Sequence, residues 1–165
     1  MRPVGALQLN FTTSIMPQSL AHLVVHLIFS TKNREPVLAA AILPQLHAYL
    51  VGVIKGLDCT PIQTGGVADH VHLLFALSRT RAIADVTREL KTNSTNWLRT
   101  QGARYKQFHW QSGYGVFSVS ASKIPEVKSY VIQQPEHHRK VTFQDEYRAL
   151  LEKHGIVYDE RHVWD

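Results

Sequence analysis

Two apolar runs with a period of two, each carrying its histidines on one side, constrain this chain more than any other feature. In LAHLVVHLIFS, over residues 20–30, Leu23, Val25, Leu27 and Phe29 fall on one side of an extended chain, and His22, Val24, His26 and Ile28 on the other. In HVHLLFAL, over 70–77, Val71, Leu73 and Phe75 share one side, and His70 and His72 the other. Helical stripes separate the runs. Ile42, Leu46, Leu50, Val53 and Leu57 recur at spacings of three and four, which predicts a helix over about 39–57 with Gly56 as its stop. Ile83, Val86, Leu90 and Trp97 mark the inward face of a second helix, over about 83–100. Further strands are expected over 59–67, broken at Gly65-Gly66, and over 114–120. Ser122 is the expected cap of a third helix over about 123–134, which Pro135 interrupts. Thr142 is the expected cap of a fourth, over about 143–154, which Gly155 ends. The order βαββαβ followed by helices predicts an α+β, ferredoxin-like (split βαβ) fold: an antiparallel sheet with two helices on one face and the last helices added. The second face, which carries the histidines, is left for those later helices or for a partner.

Length and charge narrow the class. A chain of 165 residues suits one domain with a real core. Hydrophobic residues at 44% and charged residues at 19% exclude a disordered chain. Eighteen Lys and Arg against 13 Asp and Glu, with a pI near 9.5, favour a polyanionic partner. Cys59 stands alone, so neither an intrachain disulfide nor a CxxC zinc site can form, and a reducing compartment fits. No apolar run approaches the roughly 20 residues of a membrane span. The opening MRPVGALQLNFTTSI makes a poor signal peptide. Residues 1–19 read as a disordered leader, with Met16 as an alternative start, and 20–165 as a single domain.

Two constellations carry chemistry. His70 and His72 lie two apart on a strand and point the same way, which makes either half of a divalent metal site or a pair of histidines on a solvated face. Tyr130 and Gln134 lie four apart on a helix and share a face. A tyrosine hydroxyl is a potential nucleophile and an amide oxygen a hard ligand, but the same pair also fits the edge of an amphipathic helix.

Taken together, Asp69-His-Val-His-Leu-Leu on one strand and Tyr-x-x-x-Gln about sixty residues later resemble the HUH single-strand endonucleases. The closer resemblance is to the IS200/IS605 tyrosine transposases, including their REP-associated relatives. It extends through HLIFSTKNR, DHVHLLF, WQSGYGVFSVS, SYVIQQPEHHRKVTFQDEY and the closing YDERHVWD. The resemblance implies a transposase that cleaves and rejoins single-stranded DNA beside hairpins through a 5′-phosphotyrosine. It implies Tyr130 as nucleophile, and His70, His72 and Gln134 as ligands of Mg2+ or Mn2+. It also implies a homodimer with composite active sites, and a bacterial cytoplasmic, nucleoid-associated setting. Pro135 directly after Gln134 places that ligand at a helix end. A non-catalytic nucleic-acid-binding module on the same fold is the rival from another class.

The remaining polar residues divide less sharply. Lys32, Arg34, Arg79 and Lys91 are the expected DNA contacts, with Arg81, Arg88, Arg99, Arg104 and Lys106 as further phosphate neutralisers. Trp97, Tyr105, Phe108 and Trp110 lie among them, as stacking on bases requires, although core packing explains them equally and is preferred for Trp97. Asp69 is expected to point away from His70 and to act structurally, and His26 to be packed or hydrogen-bonded. His137 and His138 are expected in solvent, and Asp145, Glu146, Glu152, Asp159 and Glu160 as surface charge.

Overall fold

The computed structural model describes residues 19–164 and arranges them as β1 (Leu23–Ser30), α1 (Leu43–Gly56), β2 (Thr60–Val67), β3 (His70–Leu77), α2 (Ile83–Arg99), β4 (Gly115–Val119), α3 (Ile124–Ile132), α4 (Gln134–His137) and α5 (Phe143–Lys153). The expected leader, apart from Ser19, and the alternative start at Met16 lie outside the described residues. All strand pairs are antiparallel and the sheet order is β2-β3-β1-β4, the split-βαβ arrangement expected from the element order.

Element ends shift for local reasons. α1 begins at Leu43, not near 39, with Pro44 in its first turn, where a missing N–H costs nothing. β2 runs straight through Gly65 and Gly66; its irregularity falls between Pro61 and Gln63 instead. Ser122 caps nothing: a 3-10 turn over Ala121–Lys123 leads into α3, whose first turn holds Pro125. α3 stops at Ile132, and Gln134 opens the separate turn α4, because Pro135 has no N–H with which to continue the ladder. Thr142 does cap α5, its Oγ1 accepting from the Asp145 N–H at 3.2 Å. Gly155 follows with φ +64°, the left-handed geometry that ends a helix.

Each face of the sheet has its own core. Leu27, Phe29, Val71, Leu73 and Phe75 pack under Leu46, Leu50 and Ile54 of α1 and Val86, Leu90 and Leu98 of α2. Trp97 is half-buried and stacks on Tyr49, while its neighbour Leu98 takes the inward position. Tyr105, Phe108 and Trp110 are buried in the same core, so they build the fold and are not available for base stacking. On the other face, Ile28 and Phe117 pack against Phe143, Tyr147 and Leu151 of α5. Glycine permits the closest approaches. A Cβ on Gly65 would stand 2.3 Å from the Val131 carbonyl oxygen, and one on Gly115 2.6 Å from the Tyr147 ring. The histidine face is thus covered by the chain's own last helices.

Candidate active site

β3 carries His70 and His72 into the layer between the sheet and α3–α5, where both are fully buried. Each imidazole is oriented through Nδ1. His70 Nδ1 lies 2.6 Å from Asp69 Oδ1, and His72 Nδ1 lies 2.9 Å from His26 Nε2. Asp69 stands in the turn before β3, which frees it from strand alternation and lets it turn back to its neighbour. His26 is the hydrogen-bonded packing residue expected of it. Asp69 can only accept, so the His70 proton sits on Nδ1 and its Nε2 presents a lone pair to the interior; a His72 Nδ1 proton donated to His26 would leave His72 Nε2 in the same state. Burial holds His72 down at about 4, with His70 also disfavouring its charge against the pull of Glu146, and holds His26 at about 3, with His72 adding to the effect.

A carboxylate faces both Nε2 atoms. Glu146 is buried at 4% exposure, not on the surface, because α5 lies with its Phe143, Glu146, Tyr147 and Leu151 side against the sheet. Its Oε2 stands 3.7 Å from His70 Nε2, 3.6 Å from His72 Nε2 and 2.9 Å from His138 Nε2. His138 reaches in from the end of α4, with Nδ1 fixed 2.9 Å from the Val141 carbonyl oxygen, so it is not a solvated residue. Burial alone would raise the Glu146 pKa, but hydrogen bonds from His138 and the surrounding donors hold it far below the usual carboxylate range. Burial opposes charge on His138 as well, yet the Glu146 carboxylate raises it above the ordinary histidine value.

The other oxygen of Glu146 meets the candidate nucleophile. Tyr130, on α3, donates its hydroxyl hydrogen bond to Oε1, and Gln134 Nε2 donates to the same oxygen at 2.9 Å. Gln134 is fully buried, and its Oε1 lies 3.3 Å from His70 Nε2. The Tyr130 ring sits edge-on to His72 and His26, with centroids 5.9 and 6.1 Å away. Burial and the adjacent carboxylate both hold the phenol above its ordinary value. Tyr130, His70, His72 and Gln134 therefore come together within one chain. Glu146 and His138 are the members that sequence reasoning missed. Glu146 had a legible signal, a carboxylate on the apolar stripe of an amphipathic helix.

The donors suit a divalent cation. One ligand atom from each of His70, His72, His138 and Glu146 lies within 4.8 Å of all the others. His72 Nε2 is buried with no hydrogen-bond partner, an orphan that a bound cation would satisfy.

The four expected DNA contacts diverge. Lys32 and Arg79 are exposed, beyond opposite ends of the β1–β3 pair, a separation of about 20 Å or more at the strand rise. Arg34 lies over the Trp164 ring at 5.3 Å and donates to its carbonyl oxygen at 3.2 Å. Lys91 gives Nζ–H bonds to the carbonyls of Gln111, Ser112 and Gly113, and burial lowers its pKa to about 8. These two side chains hold the fold together. Beside the cluster, a cavity of about 740 Å³ opens between β4, α3 and α5, bordered by Tyr130, Glu146, Lys123 and Lys153. Among the described residues, no helix is long and apolar enough to cross a membrane.

Comparison with known proteins agrees with this architecture. Two solved structures are similar in fold. One is described as a "putative transposase" from Deinococcus radiodurans R1, with 23% identity, a TM-score of 0.57, and coverage of 72% of this chain and 98% of that one. The other is a REP-associated tyrosine transposase bound to a REP hairpin, with 14% identity, a TM-score of 0.53, and coverage of 76% of each chain. No curated protein matches the chain. The model of the family described as "Transposase IS200 like" matches residues 19–134, most of the chain, and the protein belongs to that family.

Proposed function

We propose that the protein cleaves and rejoins single-stranded DNA beside a hairpin by transesterification, with Tyr130 as nucleophile. The observation that carries this reading is the convergence of the Tyr130 hydroxyl, the paired imidazoles of His70 and His72 and the Glu146 carboxylate in one buried layer next to an open cavity. Family membership supports DNA transposition as the setting, and the neighbour bound to a REP hairpin supports a hairpin-flanked substrate.

The chemistry follows from the donors. Tyr130 Oη attacks the phosphorus while its proton passes to Glu146 Oε1, the acceptor it already contacts. The bond from phosphorus to the 3′ oxygen breaks, its electron pair leaves with that oxygen, and protonation from solvent gives a free 3′-OH. The 5′ side remains as a phosphotyrosine ester. Because that ester conserves the phosphodiester bond energy, a second 3′-OH can reverse the step and join a new strand without ATP. His70 and His72, with Gln134 alongside, would hold Mg2+ or Mn2+, which when bound supplies Lewis-acid stabilisation of charge on the non-bridging oxygens. Glu146 is held well below the carboxylate range and the phenol above its own, so the proton stays on Tyr130 until the bond to phosphorus forms and makes the hydroxyl acidic enough to give it up.

The test is incubation of the full chain with end-labelled single-stranded hairpin DNA and Mn2+, followed by denaturing electrophoresis. A protein-linked labelled band that disappears in Tyr130→Phe is expected. Cleavage that persists in that variant overturns the assignment.

A further inference from the structure

We propose that four side chains of one subunit, His70, His72, His138 and Glu146, form the cation site, and that Glu146 couples it to the nucleophile, with Oε2 turned to the imidazoles and Oε1 to the Tyr130 hydroxyl. This rests on the reading of the site given above and changes its ligand set, replacing Gln134 with two residues from the segment after Pro135.

The first support is the orientation of the rings. All three imidazoles have Nδ1 fixed by an outside partner: Asp69 Oδ1 for His70, His26 Nε2 for His72 and the Val141 carbonyl for His138. All three direct Nε2 to the same carboxylate oxygen. An outside partner on one ring nitrogen, with the other converging on a common point, is how metal-bound histidines are held; His138, whose Nε2 now donates to Glu146, would give up that proton on binding.

Spacing is the second. The 3.6 and 3.7 Å separations of Glu146 Oε2 from His72 and His70 are too long for hydrogen bonds. Two ligands each about 2.1 Å from one cation and not opposite each other lie about 3–4 Å apart, and both separations fall in that range. His72 Nε2, without a partner and fully buried, faces into that space.

Gln134 fits a positioning role better than a ligand role. Its Nε2 holds Glu146 Oε1, and its Oε1 keeps only a long 3.3 Å contact with His70. His137 stays outside the set, since its Nε2 lies 3.6 Å from Oε1, on the Tyr130 side of the carboxylate. Three imidazoles and one carboxylate also favour Mn2+ over Mg2+, which prefers oxygen donors.

Calorimetric titration of the metal-free full chain with Mn2+ tests this without recourse to activity. The wild type is expected to bind one Mn2+, and to bind Mg2+ far more weakly. Glu146→Gln and His138→Ala are each expected to weaken Mn2+ binding by at least about tenfold, and Gln134→Ala by less than about threefold. Circular dichroism checks folding; should Glu146→Gln unfold, His138→Ala, nearer the surface, carries the test. Mn2+ binding unchanged in a folded Glu146→Gln or His138→Ala but lost in Gln134→Ala overturns the proposed ligand set while leaving the transesterase reading intact. A wild type that binds no Mn2+ overturns the metal site itself, and with it both readings of its ligands.

Discussion

Tyr130 and Glu146, sixteen residues apart on different helices, meet hydroxyl to carboxylate over a sheet face that holds three buried histidines. The contact joins a phenol held above its ordinary pKa to a carboxylate held below its own, so the proton rests on Tyr130 in the absence of substrate. It also needs α3 and α5 to sit at fixed heights above the sheet.

Gly65 sets the height of α3. A Cβ there would stand 2.3 Å from a backbone oxygen of Val131, one residue after Tyr130, and backbone cannot swing aside as a flexible side chain does. Gly65→Ala is expected to destabilise the fold by about 1–3 kcal/mol in urea unfolding and to reduce DNA cleavage. Gly52→Ala, in the exposed middle of α1 with nothing within 4 Å, is expected to stabilise by up to about 1 kcal/mol.

Acid should weaken the metal-free protein well above the carboxylate range. His26 and His72 are held neutral to about 3 and 4, whereas in the unfolded chain they protonate near 6.5. The unfolded state therefore binds more protons, and stability falls as pH drops from about 6.5 toward 4, by up to about 1.4 kcal/mol per pH unit for each group. His138, raised in the folded state, loses its contribution only as pH rises, so it stays constant across this window. Urea midpoints measured between pH 7 and 4 check this, and a flat profile contradicts it.

Subunit mixing separates a one-chain site from a composite one. Tyr130 lies against the histidines of its own chain. Mixed Tyr130→Phe and His70→Ala proteins are accordingly expected to show no recovered cleavage, and recovery would mean that helices are exchanged between subunits.

Among the basic residues, exposure separates contact from scaffold. Lys32→Ala and Arg79→Ala are expected to weaken DNA binding and lower the salt dependence by about one counterion each, measured by binding titrations at several salt concentrations. Lys91→Ala is expected to lower stability by about 1–3 kcal/mol, since three carbonyls lose their donor.

The sheet was legible because its signals are local. Period-two runs at 23–30 and 70–77 specify strands and their faces, and the βαββαβ order then leaves few topologies. The histidine pair and Tyr130 were legible by motif. Their surroundings were not, because burial of Glu146 depends on how α5 packs over Ile28 and Phe117, a contact between segments more than a hundred residues apart in part of its extent. Charge in a sequence reads as surface until packing reverses it. The intrachain partners of Arg34 and Lys91, Trp164 and the 111–113 carbonyls, were not legible for the same reason: they are distant in sequence. The break at Gln133 could be read from Pro135, but the inward turn of His138 that follows could not.

The nucleophile is the centre of the account, and peptide mapping of the covalent DNA adduct addresses it most directly. Trypsin cuts after Lys128 and Arg139, and the peptide between them carries Tyr130 as its one tyrosine. After reaction with hairpin DNA and Mn2+ and nuclease trimming, mass spectrometry is expected to find the nucleotide mass on that peptide, at Tyr130. A nucleotide on any other residue, or cleaved DNA with no protein-bound nucleotide, would contradict it.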